Sequence, residues 1–260
     1  MITQRHYNNL KRFSFDALNS DQQNQLLEYE IYLSNENKKR ADLEKQNQIN
    51  NPKKQKVFQT TFTIDEMKKF FDFFYKREFG KDFIYTSENK YTLDLLFMYF
   101  GRNLDFEKEN ENYSLKKGIG LIGGCGTGKT SIFKTFETLG KQYYYKHHSN
   151  IFCFRMENSN QIVLEYKSDK EKRDLLRVVK GDRCFDDLGS EDLVFGGENL
   201  LKDVIETRYH NRIVNGKLFK THFSTNLKTS ELRDFYGDRV RDRLNETTNF
   251  ILLKGESFRK

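Results

Sequence analysis

The chain has 260 residues and carries 45 Lys and Arg against 38 Asp and Glu, a formal charge of +7. That length supplies a full apolar core with room for a smaller appendage, and the cationic excess favours polyanionic partners without naming one. Three scattered cysteines, Cys125, Cys153 and Cys184, form no Cys-x-x-Cys pair, which argues against a disulfide scaffold or zinc ribbon; with no apolar leader or membrane-length run, the expected location is cytoplasmic.

Residues 1–50 are polar, yet Leu10, Phe13, Leu18, Leu26, Leu27 and Ile31 allow short amphipathic helices, which reads as a small partner-binding region. Pro52, the only proline, stands among Asn50, Asn51, Lys53 and Lys54 and marks a basic linker over 51–62, ahead of a main domain over 63–260. There Thr63 caps a helix to about Glu78, with Asp65 and Glu66 in its first turn, Met67, Phe70, Phe71 and Phe74 at helical spacing, and Gly80 as its stop. Ser87 opens a second helix, with Gly101 as a left-handed C-cap. From Lys117 the pattern runs strand, glycine turn and helix, the helix ending at Gly140, and 151–154 is the second strand. Asn160 and Ser168 cap two short helices before a third strand at 183–185. A long helix from Glu198 closes at Gly216; 217–224 is the fourth strand, a polar helix opens near Ser230, and 250–253 is the last strand. Such alternation means an α/β fold with a mainly parallel sheet covered on both faces.

Between the first strand and its helix lies Gly123-Gly124-Cys125-Gly126-Thr127-Gly128-Lys129-Thr130, followed by Ser131, which fits the Walker A pattern in the context that pattern requires. Its glycines let backbone N–H groups turn toward phosphates, Lys129 is placed to reach the β- and γ-phosphates, and Thr130 to ligate Mg2+; the expected ligands are ATP and Mg2+. The third strand ends in Asp186 and Asp187, as a Walker B strand should. Asp186 is placed to hold Mg2+ directly or through water, and Asp187 to polarise an attacking water. The side chain of Asp187 is shorter than the Glu many such ATPases carry, so either hydrolysis is slow or Glu191 serves instead. Basic and aromatic runs at 38–40, 53–56 and 141–148, with Lys167, Lys170, Lys172, Arg173 and Arg177, offer surfaces for nucleic acid.

These two motifs, together with His222-Phe223-Ser224-Thr225-Asn226, Tyr236-Gly237-Asp238-Arg239-Val240-Arg241-Asp242-Arg243-Leu244 and Gly255-Glu256-Ser257-Phe258-Arg259, resemble the DnaC/IstB-like branch of the AAA+ ATPases over residues 88–259. The resemblance implies a P-loop three-layer sandwich, with Asn226 on sensor 1, Arg243 on the arginine finger and Arg259 on sensor 2. Arg239 and Arg241 are less favoured choices for the finger. It also implies ATP-dependent homo-oligomers, a replicative helicase bound through the N-terminal region, and single-stranded DNA tracked by residues 160–180. The function it implies is ATP-dependent helicase loading, with ATPase activity that is slow and dependent on assembly. An IstB-like transposition helper and an ATP-binding clamp with little hydrolysis stand as alternatives. A small-molecule kinase would have no use for Asn226, Arg243 and Arg259 together.

Overall fold

The computed structural model describes residues 3–11, 18–26, 28–30, 61–147, 152–168, 175–194, 197–214 and 216–258. The basic runs at 38–40 and 53–56, the cations between 169 and 174, and Arg259 lie outside the described residues, as does nearly all of the expected linker. The chain divides into two compact units, Met1–Phe58 and Gln59–Lys260.

In the first unit, helix α1 (Gln4–Leu10) starts on Thr3, whose side chain accepts from the His6 N–H, and a second helical run, α2, includes residues 20–26. Tyr7, Leu10, Leu18, Leu26 and Tyr29 form its small apolar cluster. No helix among the described residues is long and apolar enough to cross a membrane.

The second unit opens with α3 (Ile64–Phe79). Thr63 and Glu66 bond each other's backbone N–H in a capping box, and Gly80 closes the helix at φ 68°. Helix α4 (Lys90–Phe100) begins after a reciprocal Thr86–Asn89 turn rather than on Ser87. Gly101 is not the left-handed cap expected of it: its φ is −74°, and Arg102 takes the positive value, 55°. Space explains the glycine instead, since a Cβ there would lie 2.8 Å from the Phe62 carbonyl and 2.6 Å from that of Phe97.

After the single turn α5 (Asp105–Lys108) come β1 (Gly118–Ile122), α6 (Lys129–His147), β2 (Arg155–Asn158), α7 (Ser159–Ser168), α8 (Leu175–Val179) and β3 (Arg183–Asp186). Next are α9 (Leu200–His210), β4 (Ile213–Val214), β5 (Lys217–Leu218), β6 (Thr221–Thr225), α10 (Thr229–Tyr236), α11 (Asp238–Thr247) and β7 (Thr248–Leu252). The five-stranded sheet has the order β2-β3-β6-β1-β7 with every pairing parallel, while β4 and β5 form a separate hairpin. Every strand of the main sheet therefore ends at one edge, where ligands of open α/β sheets bind.

Several expected boundaries shift, each for a packing reason. Helix α6 runs through Gly140, where a Cβ would meet the Phe152 carbonyl at 2.7 Å, so the glycine marks close approach of chain and not a stop. The second strand starts only at Arg155, because Phe152 and Phe154 are drawn into the aromatic core. Asn158, and not Asn160, accepts from the Gln161 N–H at the start of α7, and Ser168 ends that helix. Helix α9 stops at His210, and Gly216, at φ 75°, turns the β4–β5 hairpin in place of ending a helix.

Side chains of β1 alternate cleanly. Ile119 and Leu121 enter one core with Met67, Phe71, Phe97, Phe100, Phe133 and Phe136 from the helices above. On the opposite face Gly118 and Gly120 leave room for neighbouring strands: a Cβ on Gly120 would sit 2.5 Å from the Phe223 ring. That face is covered by apolar residues of α7, α9, α10 and α11. Phe136 stacks on Phe100 at 4.0 Å and lies 5.2 Å from Phe71. Phe136→Ala is therefore expected to cost about 3–5 kcal/mol, read as a lower urea midpoint with an unchanged slope.

Candidate nucleotide-binding site

The turn from β1 to α6 is built on close backbone approaches. Gly126 and Gly128 take φ 79° and 95°, and a Cβ on Gly126 would lie 2.0 Å from Ser257 Oγ. The Phe258 N–H donates to the Gly126 carbonyl at 3.0 Å, so the C-terminal segment is laid along the turn. Thr127 Oγ1 donates to the Gly124 carbonyl at 2.9 Å and braces the loop from inside.

Lys129 opens α6 and is only 4 % exposed. Its ammonium donates to the carbonyls of Gly123 and Gly124 at 2.7 and 2.8 Å and to Asn226 Oδ1 at 2.7 Å. A buried cation needs such acceptors, and phosphate oxygens arriving at the helix N-terminus would offer stronger ones. Asn226, one residue past β6, is thus brought onto the P-loop lysine by the parallel pairing of β1 with β6.

Asp186 ends β3 on the other side of β6. Its Oδ1 accepts from Thr130 Oγ1 at 3.1 Å and from Ser224 Oγ at 2.5 Å. Burial pushes its carboxyl above the ordinary range, while the hydroxyl bonds from Ser224 and Thr130 and the charge of Lys129 pull it back. Thr130 and Asp186 form the pair of hard oxygen donors that suits Mg2+. Asp187 follows in the left-handed region at φ 54°, its N–H donating to Ser224 Oγ at 2.9 Å. Asp and Asn tolerate that conformation better than other residues with a Cβ, so an acid here is conformationally restricted to Asp.

Asp187 lines one cleft of about 330 Å³ with Cys125, Gly126, Gly128, Lys129, Thr130, Ser131 and Asn226. Glu191 does not share it. That residue is 5 % exposed, and its carboxylate accepts from the Tyr236 hydroxyl and, at 2.7 Å, from the Gly189 N–H. Glu191, the alternative water-polarising base, is thus held in the core and away from the cleft.

The far wall of the cleft is rich in rings, Tyr75 and Phe79 from α3, Phe83 and Ile84 from the loop after it, and Phe258, with Lys81 and Asp82 among them. Beside a phosphate turn such a wall suits the flat face of a nucleobase. Sequence reasoning missed these residues, since the helix reads only as far as about Glu78 and no motif marks the rings beyond it.

The arginines are distributed differently from expectation. Arg243 is turned inward: its guanidinium lies 3.0 Å from Glu206 Oε2 and 3.0 Å from His210 Nε2, over the Tyr209 ring. In this chain it joins α11 to α9. Arg239, with 69 % of its side chain exposed and 3.9 Å from Glu206, is the most exposed arginine of α11, and Arg241 is partly exposed beside Asp242. Among the nucleic-acid candidates, Arg177 is bonded to Glu157 and Glu165, and Lys141 pairs with Glu137 at 2.7 Å. Tyr143 packs on Phe62 and Phe152, whereas Tyr144 and Tyr145 are exposed.

No family model and no curated protein matches the chain. Solved structures do. The crystal structure of the DnaC helicase loader is 20 % identical, covering 68 % of this chain and 95 % of that one at a TM-score of 0.47. A candidate primosome component from Streptococcus pyogenes serotype M3 is 18 % identical, covering 68 % and 88 % at a TM-score of 0.46. The chain's own fold sets a glycine turn entering a helix beside a strand-end acid at the C-terminal edge of a parallel α/β sheet.

Lys129→Ala is expected to abolish binding of a fluorescent ATP analogue. Asp187→Asn, which keeps the left-handed turn, is expected to hold affinity within about threefold while turnover falls at least about a hundredfold. Titration by fluorescence anisotropy and a phosphate-release assay measure the two.

Proposed function

We propose that the protein is an ATP-dependent DNA replication factor of the AAA+ class that loads a replicative helicase onto single-stranded DNA. The observation that carries the nucleotide part is Lys129, which joins the phosphate turn to Asn226 beside the Thr130–Asp186 pair. Support for the loader part is the ordered set of motifs from Gly123 to Arg259 on a β2-β3-β6-β1-β7 sheet.

In this reading Lys129 gives up the Gly123 and Gly124 carbonyls for the β- and γ-phosphate oxygens, and the N–H groups of residues 126–130 cradle the rest. Thr130 and Asp186 hold Mg2+, which supplies charge neutralisation at the phosphates. Asp187 orients and accepts a proton from the attacking water, and Asn226 orients that water or senses the γ-phosphate. A short, conformationally restricted Asp187 makes for slow turnover, which fits a switch better than a motor. Arg259 follows Phe258, already bonded to Gly126, and so is near enough in sequence to serve as the phosphate contact from the same subunit. A charge offered in trans comes from α11. Arg239 is the more exposed group there and Arg243 the buried one, held closer to the Glu206 carboxylate that both face.

The DNA contact is assigned to the α7–α8 region, helped by ATP-dependent assembly, and the helicase contact to the N-terminal unit. With about five phosphates neutralised at about −0.7 each, log K against log salt has an expected slope near −3.5 for single-stranded DNA. Salt-independent binding, or none with a non-hydrolysable ATP analogue, overturns that assignment. Affinity capture with the Asp187→Asn variant should recover a hexameric helicase; recovery of a transposase instead would redirect the reading to a transposition helper. Arg239→Ala is expected to lower turnover of the assembled protein by about a thousandfold at unchanged nucleotide affinity, whereas Arg243→Ala should lower the melting temperature as well. Calorimetry beside the phosphate-release assay separates the two arginines.

A further inference from the structure

Glu191 is a buried acid that the nucleotide chemistry does not use, and its two carboxylate oxygens face different parts of the fold. One accepts the backbone N–H of Gly189, two residues beyond Asp187, at 2.7 Å. The other accepts the hydroxyl of Tyr236, the last residue of α10. Both side chains are almost fully buried, so neither bond competes with water.

The turn that Glu191 grips is in register with the cleft. The Leu188 N–H donates to the Ser224 carbonyl at 2.8 Å, and Thr225 Oγ1 donates to the Leu188 carbonyl at 2.6 Å. Gly189 takes φ 91° and lies so close to Leu227 that a Cβ would be 2.3 Å from its Cδ1. Residues 187–189 therefore cannot shift without moving against the strand end that carries Asn226.

On the other side, Gly237 is the single residue between α10 and α11, and its φ of 86° with ψ 163° is a conformation that only glycine adopts readily. The C-terminal half of α11 is fastened to α9: Arg243 pairs with Glu206, and Glu246 accepts from Tyr209 at 2.5 Å and from Arg212 at 2.9 Å. Its N-terminal end carries Asp238, paired with Arg233 at 2.5 Å across Gly237, and Arg239, which is mostly exposed and lies 3.9 Å from Glu206. Tyr236 is thus joined through Gly237 to the end of α11 that bears Arg239.

We propose that Glu191 is a positioning residue that couples the turn after Asp187 to α11, so that occupancy of the nucleotide cleft is transmitted through Tyr236 and Gly237 to the exposed arginine face. This rests on the cleft binding nucleotide and adds a route by which binding changes a distant surface. The physical basis is that a carboxylate bonded on both oxygens acts as a short rigid link, and a buried link is moved whole more readily than it is broken.

Hydrogen–deuterium exchange on the full chain, with and without a non-hydrolysable ATP analogue, tests it. In the wild type, nucleotide is expected to slow exchange in the phosphate turn (123–131) and to change it at least about threefold in 229–247. Tyr236→Phe removes one hydroxyl and no volume, and Glu191→Gln retains only one acceptor oxygen. Both are expected to keep the protection of 123–131 and the nucleotide affinity, and to lose the nucleotide-dependent change in 229–247. If the variants alter exchange in 229–247 equally with and without nucleotide, Glu191 is a packing residue only and the coupling is overturned. An unresponsive 229–247 segment in the wild type overturns it too. Absence of protection at 123–131 in the wild type fails the nucleotide reading itself, which distinguishes the two failures.

Discussion

The buried ammonium group of Lys129 is the interaction on which the arrangement of the cleft depends. A cation with so little exposure is stable only where acceptors converge, and three do: the carbonyls of Gly123 and Gly124 and the amide oxygen of Asn226. The first two come from the turn after β1 and the third from the end of β6, so the lysine fastens two neighbouring parallel strands at their C-terminal edge. These neutral acceptors are weaker than the charged oxygens a polyphosphate would bring. Beside it, Asp186 is held by hydroxyls from α6 and β6, and three elements thereby meet at one point.

That edge stays in place because the sheet is packed from both sides with rings. The Phe71, Phe97, Phe100 and Phe136 cluster anchors α3, α4 and α6 on one face, and Phe185 and Phe223 anchor the other. With no tryptophan in the chain, phenylalanine supplies large buried volumes, and the edge-to-face contacts of Phe97 with Phe71 and Phe136 link α3, α4 and α6. The same helix α3 supplies Tyr75 and Phe79 to the cleft. Core packing on that side therefore also shapes the wall opposite the phosphate turn.

The acids after β3 show how one loop serves two tasks. Asp187 opens into the cleft in a conformation that few residues adopt, and Glu191, four positions on, turns away from it toward Tyr236. Two carboxylates so close in sequence are thus separated by environment, one toward the ligand and one into the core. Asn160 bonds the Ser190 carbonyl and accepts from the Asp192 N–H, which places the start of α7 on the same loop.

Read alone, the sequence carried the helix cap at Thr63, the alternation of strands and helices, the phosphate turn and the acid-tipped strand, because each depends on short spacings between neighbouring residues. Only the tertiary structure decided the rest. Gly101 and Gly140 looked like helix stops and are places where chain passes close to chain, a property of partners distant in sequence. Arg243 looked like an outward cation, and its partners Glu206 and His210 lie on another helix. Glu191 and the aromatic wall of the cleft were likewise invisible as such, since whether an acid faces ligand or core, and whether a ring faces base or packing, is settled by which elements fold against it.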